Sequence, residues 1–255
     1  PFAMRARWSI SLLMPSPVPP NAAPPRLFDR ERVARNRSRA AANFSKYDFL
    51  KARVSSDIAD RLADTSHSFD RAFDLGTHDG QLARRVLASG KVGTIEAGDL
   101  SHGMVALSRA AGLQAHVLDE EHLPFERASL DLIVSALSLH WVNDLPGALV
   151  QIRQALKPDG LFLGALFGAG TLSELRASLM EAETEVTGGV AARVSPLPGL
   201  RDMASLMQRA GFALPVVDRD KVVVRYATPM ALLSDLKGMG ERAAFASGMT
   251  RPLPR

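Results

Sequence analysis

Ala72-Phe-Asp-Leu-Gly-Thr-His-Asp-Gly80 is the stretch on which the reading of this chain turns. Two apolar residues lead into Asp74, and after Leu75 two glycines bracket the three residues Thr77, His78 and Asp79. That pattern reads as a short buried strand, a tight turn and the start of a helix. Glycine takes positive φ without a Cβ clash, so Gly76 and Gly80 let the backbone approach a ligand closely. Free N–H groups at the following helix terminus can meet a carboxylate or phosphate. Alone, such a turn is also a common connection.

Downstream, strands and helices alternate. Val92 to Gly98, Gln114 to Leu118, Leu130 to Leu137 and Leu161 to Phe167 read as strands, and Val216 to Tyr226 as a weaker one. Leu130 to Leu137 is almost wholly apolar, as befits a strand buried on both faces. Leu82, Val86 and Leu87 mark a helix that Gly90 ends. Ser101 caps a helix closed by Gly112, and Leu145, Leu149, Ile152 and Leu156 form another apolar stripe. Lys157-Pro-Asp-Gly160 reads as a turn, and Thr171 with Glu174 as a capping box. Upstream, Asp29 to Ala42 and the stripe Leu50, Val54, Ile58 and Leu62 predict two helices over the core. Repeated strand–helix units imply a parallel sheet with helices on both faces. Their right-handed crossovers gather the carboxyl ends of the strands on one edge, where ligands bind.

Composition narrows the classes. A chain of 255 residues with 46% hydrophobic residues can bury one substantial core. With no cysteine there is no disulfide, zinc-thiolate site or cysteine nucleophile. The six histidines include no H-x-D/E pair, so no metal is expected. No apolar run is long enough to span a bilayer. The net charge of +4 comes with no zinc-finger or RNA-binding signature, so it reads as a solvated basic surface rather than a nucleic-acid site. Residues 1–26 carry a proline-rich, acid-free leader expected to be disordered. It reads either as a mitochondrial targeting segment or as an upstream extension with initiation at Met4 or Met14. The expected organisation is this leader, basic helices over 27–65, a cofactor-binding core over 66–170 and further helices and a strand over 171–255.

Two more acidic sites fall on the ligand-binding edge. Asp99 ends the second strand, at a spacing suited to an acid that accepts both hydroxyls of a ribose; it could equally cap the helix ahead of Ser101. Asp119-Glu-Glu-His-Leu-Pro-Phe125 follows the third strand, where a carboxylate could accept from an adenine amino group; otherwise it is a solvated acidic loop. A dinucleotide enzyme would show G-x-G-x-x-G in the first turn, and His78 stands where its middle glycine would be. His140, beside Trp141 after the fourth strand, is a candidate base on the substrate side.

Asp74-Leu-Gly, Asp99-Leu-Ser, Asp119…Leu-Pro-Phe and Lys157-Pro-Asp-Gly resemble the motif series of class I S-adenosylmethionine-dependent methyltransferases. Phe28-Asp-Arg, Tyr47-Asp-Phe-Leu-Lys, Ser138-Leu-His-Trp-Val-Asn-Asp-Leu-Pro, Thr171-Leu-Ser-Glu-Leu-Arg, Ala182-Glu-Thr-Glu and Asp235-Leu-Lys-Gly-Met-Gly-Glu are similar to the complex I assembly factor 5 family and its alphaproteobacterial relatives. The resemblance implies a Rossmann-like, doubly wound, mostly parallel α/β sheet. It implies S-adenosylmethionine held by Asp74, Gly76, Gly80, Asp99, Leu100, Asp119, Glu120 and Ser135. The strand that completes such a sheet is expected to be missing here, as in a truncated gene.

The resemblance further implies a role in respiratory complex I assembly, with arginine modification of a complex I subunit as the activity and that subunit as partner. Membrane contact would then be peripheral, through the assembly intermediate. The location would be cytoplasmic in a bacterium, or the matrix side of the inner membrane in a mitochondrion. Malonyl-carrier-protein O-methyltransferases of biotin synthesis share some of the motifs, and a non-catalytic assembly factor is the other alternative.

Overall fold

A computed structural model describes residues 26–247. Five parallel strands form one sheet in the order β3-β2-β1-β4-β5: β1 Phe69–Leu75, β2 Val92–Asp99, β3 Gln114–Val117, β4 Leu130–Ala136 and β5 Leu156–Ala165. The order reverses between β1 and β4, which opens a crevice at their carboxyl ends. Helices α1 Arg30–Ala41, α2 Phe49–Ala63, α3 Gln81–Ala88 and α4 His102–Ala110 precede β3. Helices α5 Leu145–Ala155, α6 Ser173–Thr187, α7 Leu200–Arg209 and α8 Pro229–Gly238 follow it.

The expected doubly wound sheet is present, and its two cores follow from strand alternation. Ala72 on β1 and Leu132, Val134 and Ala136 on β4 face Ile58 and Leu62 of α2 and Leu82 and Val86 of α3. On the opposite face Phe73, Leu75 and Ile133 pack against Leu149 and Ile152 of α5, with Met203 and Leu206 of α7 outside them. α4 covers β2 and β3 through Val105, Ala97 and Ala115. Val33 and Ala40 anchor α1, the former beside Trp141 and the latter beside Met104. Among the described residues no helix is long and apolar enough to cross a membrane.

Three local expectations are corrected. Val216 to Tyr226 forms no strand. A strand needs a ladder partner, and this segment is held instead by exposed ion pairs from Arg61 to Asp218 and Arg53 to Asp220, with Leu214 and Val216 about nine-tenths exposed. Lys157-Pro-Asp-Gly160 lies within β5, as a register shift opposite Leu130 and Leu132 with Asp159 at φ 62°. Lys157 there pairs with Asp131 at 2.9 Å. Finally, α6 opens at Ser173 behind Leu172, at φ 55°, and no side chain caps it. The leader lies outside the described residues except for Arg26.

Leu132 is fully buried at the centre of the larger apolar cluster. Leu132→Ala should cost about 3 kcal/mol through lost transfer energy plus a residual cavity. Thermal unfolding of the variant checks this, with a fall in Tm of roughly 6–12 °C expected.

Candidate functional site

The site sits at the carboxyl ends of β1, β2 and β4 and just beyond β3. Its floor is the first turn. The N–H groups of Gly76 and Thr77 both donate to Gly98 O, at 2.8 and 2.9 Å, so β1 and β2 end in register. Gly76, His78 and Gly80 have φ of 72°, 56° and 78°. Three left-handed residues in one turn account for its glycines. A Cβ on Gly76 would lie 2.0 Å from Ser138 Oγ. His78 takes the same backbone conformation at a steric cost that glycine avoids.

The His78 ring is buried against Phe44, with centroids 5.5 Å apart. Its Nδ1 lies 2.9 Å from Gly76 O and 3.1 Å from Lys51 Nζ. Burial and the Lys51 and Arg37 charges hold this imidazole well below its ordinary pKa, so it is neutral. Lys51 is itself buried and donates to Gly76 O at 2.9 Å and Ala136 O at 2.6 Å. Burial lowers its pKa, against the pull of Asp74 and Asp99. Lys51 closes the Tyr47-Asp-Phe-Leu-Lys run, but nothing in its periodicity marks it as buried, since a helical lysine ordinarily faces water.

Of the eight residues named for the cofactor, three belong to the scaffold, four converge and Leu100 stands apart from both sets. Asp74, Gly80 and Ser135 are tied into the scaffold. Asp74 Oδ2 accepts from Thr77 Oγ1 at 2.6 Å and Ala83 N at 3.1 Å, and Oδ1 has no partner among the described residues. Burial raises its pKa to about 6, against Lys51 and the two hydrogen bonds. Gly80 caps α3, and Ser135 Oγ donates to Leu75 O at 2.7 Å. Leu100 packs beside Val33 and Trp141. Asp99, Asp119, Glu120 and the Gly76 turn converge on one place.

Asp99 is fully buried there. Its Oδ2 accepts from His78 N at 3.0 Å and its Oδ1 from Ser101 N at 2.8 Å. The unanticipated feature is the counter-charge. Arg37 of α1 is fully buried, with Nη1 3.4 Å from each Asp99 oxygen and 3.2 Å from Glu120 Oε1. Its Nη2 donates to Ser138 Oγ at 2.9 Å, and Ser138 Oγ donates to Glu120. Arg30 pairs with Glu120, reaches Asp119 at 2.7 Å and donates to Trp141 O at 3.0 Å. Burial pushes the Glu120 carboxyl up, but Arg30 and Arg37 outweigh it and hold its pKa near 2. The basic helix expected over the core therefore divides its arginines: Arg32 and Arg35 are half exposed, whereas Arg30 and Arg37 point inward.

His140 stands at the rim of the same edge. Its Nε2 lies 2.9 Å from Glu241 Oε2, which also accepts from Trp141 Nε1 at 2.6 Å. His140 Nδ1 is buried and unpartnered among the described residues. Burial pushes the Glu241 carboxyl up, but its pairing with His140 and the more distant Arg37 charge outweigh this and lower its pKa. Glu241, a hundred residues from His140, could not be linked to it by any local pattern. A cavity of about 20 Å³, room for one water, lies between Lys51, His78, Phe167 and Glu241. Among the described residues no three His, Asp or Glu side chains cluster closely enough to hold a metal ion.

Sheet order, flanking helices and acid-ended strands define a class I S-adenosylmethionine-dependent methyltransferase fold. Residues 73–164 match the family described as a methyltransferase domain. A chain in the complex of the Haloferax volcanii Trm112 methyltransferase activator with a methyltransferase shares this fold. Its TM-score is 0.56 at 22% identity, over 70% of this chain and 75% of that one. The mouse protein named mitochondrial arginine-hydroxylase NDUFAF5 is 44% identical over 234 residues, which is 89% of this chain and 68% of the mouse protein. The chain therefore belongs to the NDUFAF5 family. It is also 31% identical over 238 residues to the malonyl-[acyl-carrier protein] O-methyltransferase of a Methylovorus species, over 89% of this chain and 78% of that protein.

The two carboxylates have opposite pH signatures. Asp74, with its raised pKa, stabilises the fold below the unfolded value near 3.8 and loses that contribution as pH rises through about 6. Glu120, with its lowered pKa, stabilises the fold above 4.5 and loses that contribution as pH falls toward 2. Because Asp74 gains stability within the same pH range in which Glu120 loses it, the Glu120 share, about 3 kcal/mol between pH 6 and pH 2, is read as the difference in chemical denaturation between the wild type and Glu120→Gln. Glu120→Gln should be less stable at neutral pH and lack that part of the acid slope.

Proposed function

We propose that this protein binds S-adenosylmethionine and assists respiratory complex I assembly by modifying an arginine of a complex I subunit. The observation that carries cofactor binding is the pair of buried acceptor-only carboxylates, Asp99 and Glu120, set beside the left-handed Gly76 turn. Such acceptors suit ribose hydroxyls and an adenine amino group. In this reading Asp99 takes the ribose, Asp119 and Glu120 the adenine, and Gly76 lies against the methionine part. Leu100 supplies an apolar wall. Asp74, Gly80 and Ser135 act by holding β1, α3 and β4 in place.

When bound, the cofactor supplies a methyl group already activated on a sulfonium. The chain's own residues then have to orient the acceptor and remove a proton where one must leave. His140 suits that proton transfer. Glu241 accepts from Nε2–H, which leaves the Nδ1 lone pair free to take the proton. Trp141, fixed by the same carboxylate, keeps the histidine ring in place. The arginine acceptor and the complex I partner are supported by membership of the NDUFAF5 family. The location follows the host: matrix side of the inner membrane in a mitochondrion, cytoplasm in a bacterium, with membrane contact through the assembly intermediate. Similarity to the Methylovorus enzyme favours a second reading, a malonyl-carrier-protein methyl ester as product.

Titration calorimetry with S-adenosylmethionine should give measurable binding to the wild type and at least a tenfold loss in Asp99→Ala. Deletion of the gene should impair complex I assembly, and mass spectrometry of the subunit arginines should show one modification lost. Intact complex I together with biotin auxotrophy would transfer the assignment to the malonyl carrier.

A further inference from the structure

We propose that α1 is a lid over the cofactor pocket, and that Arg37 is a plug that must leave before the cofactor enters. The inference rests on reading the Asp99 pocket as the S-adenosylmethionine site. Arg37 and Arg30 lie two helical turns apart on one face of α1. Between them they engage all three carboxylates, Asp99, Asp119 and Glu120. A guanidinium is a set of donors and no acceptor. It therefore competes directly with ribose hydroxyls and an adenine amino group for the same oxygens. Because both arginines belong to one helix, a single movement frees the whole acceptor set.

The plug is a loose fit. Both Arg37–Asp99 distances are 3.4 Å, well beyond the span of a good charge-assisted bond. Arg37 Nε is buried without a partner among the described residues. The seat of α1 is also largely polar. Its apolar buried residues are only Val33 and Ala40, against buried Asn36 and Arg37. On one side Ser38 Oγ lies 2.8 Å from Ser101 Oγ of α4's cap. On the other, Asn36 Nδ2 donates to Arg242 O at 3.1 Å and Asp29 N to Ala244 O at 2.8 Å. Gly240 lets that strap lie against the Arg37 backbone: a Cβ there would be 3.1 Å from Arg37 Cα. A helix held this way can part from its neighbours without opening either sheet core. Arg37 cannot withdraw while α1 stays seated, because the side chain is enclosed by α1, Asp99, Glu120 and Ser138.

The absence of native cysteine makes a clean test. Ser38→Cys with Ser101→Cys places two thiols where the hydroxyls now touch, within reach of a disulfide that clamps α1 to α4. S-adenosylmethionine binding is then measured by calorimetry on the oxidised and the reduced double variant, on Arg37→Ala and on the wild type. The expected result is binding at least tenfold weaker in the oxidised than in the reduced protein, with Arg37→Ala several-fold tighter than wild type. Equal binding by oxidised and reduced protein would overturn the lid, even if Arg37→Ala fails to fold. Wild-type affinity in a folded Arg37→Ala would overturn the plug. No binding by any folded variant or the wild type would overturn the pocket assignment itself, and the lid with it.

Discussion

The structure around the site depends on one interaction, the contact of the Arg37 guanidinium with Asp99 and Glu120 in a place closed to water. Two carboxylates buried this close would repel each other and be driven toward protonation without a cation between them. Arg37 supplies that cation, and Arg30 completes the charge balance on Glu120 and Asp119. Asp99 carries more than this pair. It accepts from His78 N in the first turn and from Ser101 N at the start of α4. One carboxylate thus fixes the turn after β1, the helix after β2 and the seat of α1. Removing either partner of such a buried pair costs far more than the pair is worth against an apolar replacement. Its presence in an interior that apolar residues could have filled is an argument for function at the acids.

The strands were legible because their chemistry is local. Leu130 to Leu137 is apolar on both faces, and Gly76, Gly90 and Gly112 sit where positive φ ends an element. Acids at the ends of successive strands were legible for the same reason: Asp74, Asp99 and Asp119 each lie within two residues of the carboxyl end of their strand. What the sequence hid is long-range. Asp29 to Ala41 contains arginines on every side, and periodicity alone cannot distinguish the two whose guanidiniums meet buried carboxylates from those in solvent. Glu241 reaches His140 only through the packing of the segment after α8. Val216 to Tyr226 has strand-like residues, but pairing is a property of two segments, and no described segment lies beside it as a partner.

His78 shows how a substitution at a glycine position can be absorbed. Histidine tolerates left-handed backbone better than most residues, and its ring is buried between Phe44 and Lys51, with Nδ1 3.6 Å from Asp99 Oδ2. There Phe44 covers one face and Lys51 meets Nδ1. The neutral ring and the buried lysine suit each other. A protonated imidazole would face the ammonium at 3.1 Å, so burial and Lys51 both hold the His78 pKa down, while burial lowers that of Lys51. The added bulk is thus taken up on the α2 side of the turn, and the acceptor oxygens of Asp99 stay oriented toward Arg37.

That orientation constrains any ligand of this pocket. In the proposed movement, withdrawal of α1 takes Arg37 and Arg30 together and leaves Asp99 and Glu120 facing each other without either guanidinium. A ligand bringing only apolar surface would leave Asp99 charged and desolvated, which is prohibitively unfavourable. A ligand bringing hydroxyl and amino donors satisfies the oxygens but not the lost positive charge. One that also carries a positive centre restores both. S-adenosylmethionine has that combination: donors on the ribose and adenine, and a sulfonium. In the proposed exchange, the arginine and the cofactor are therefore alternatives that each bring donors and positive charge to the same carboxylates. This similarity allows an exchange between them without a large buried charge imbalance at either end.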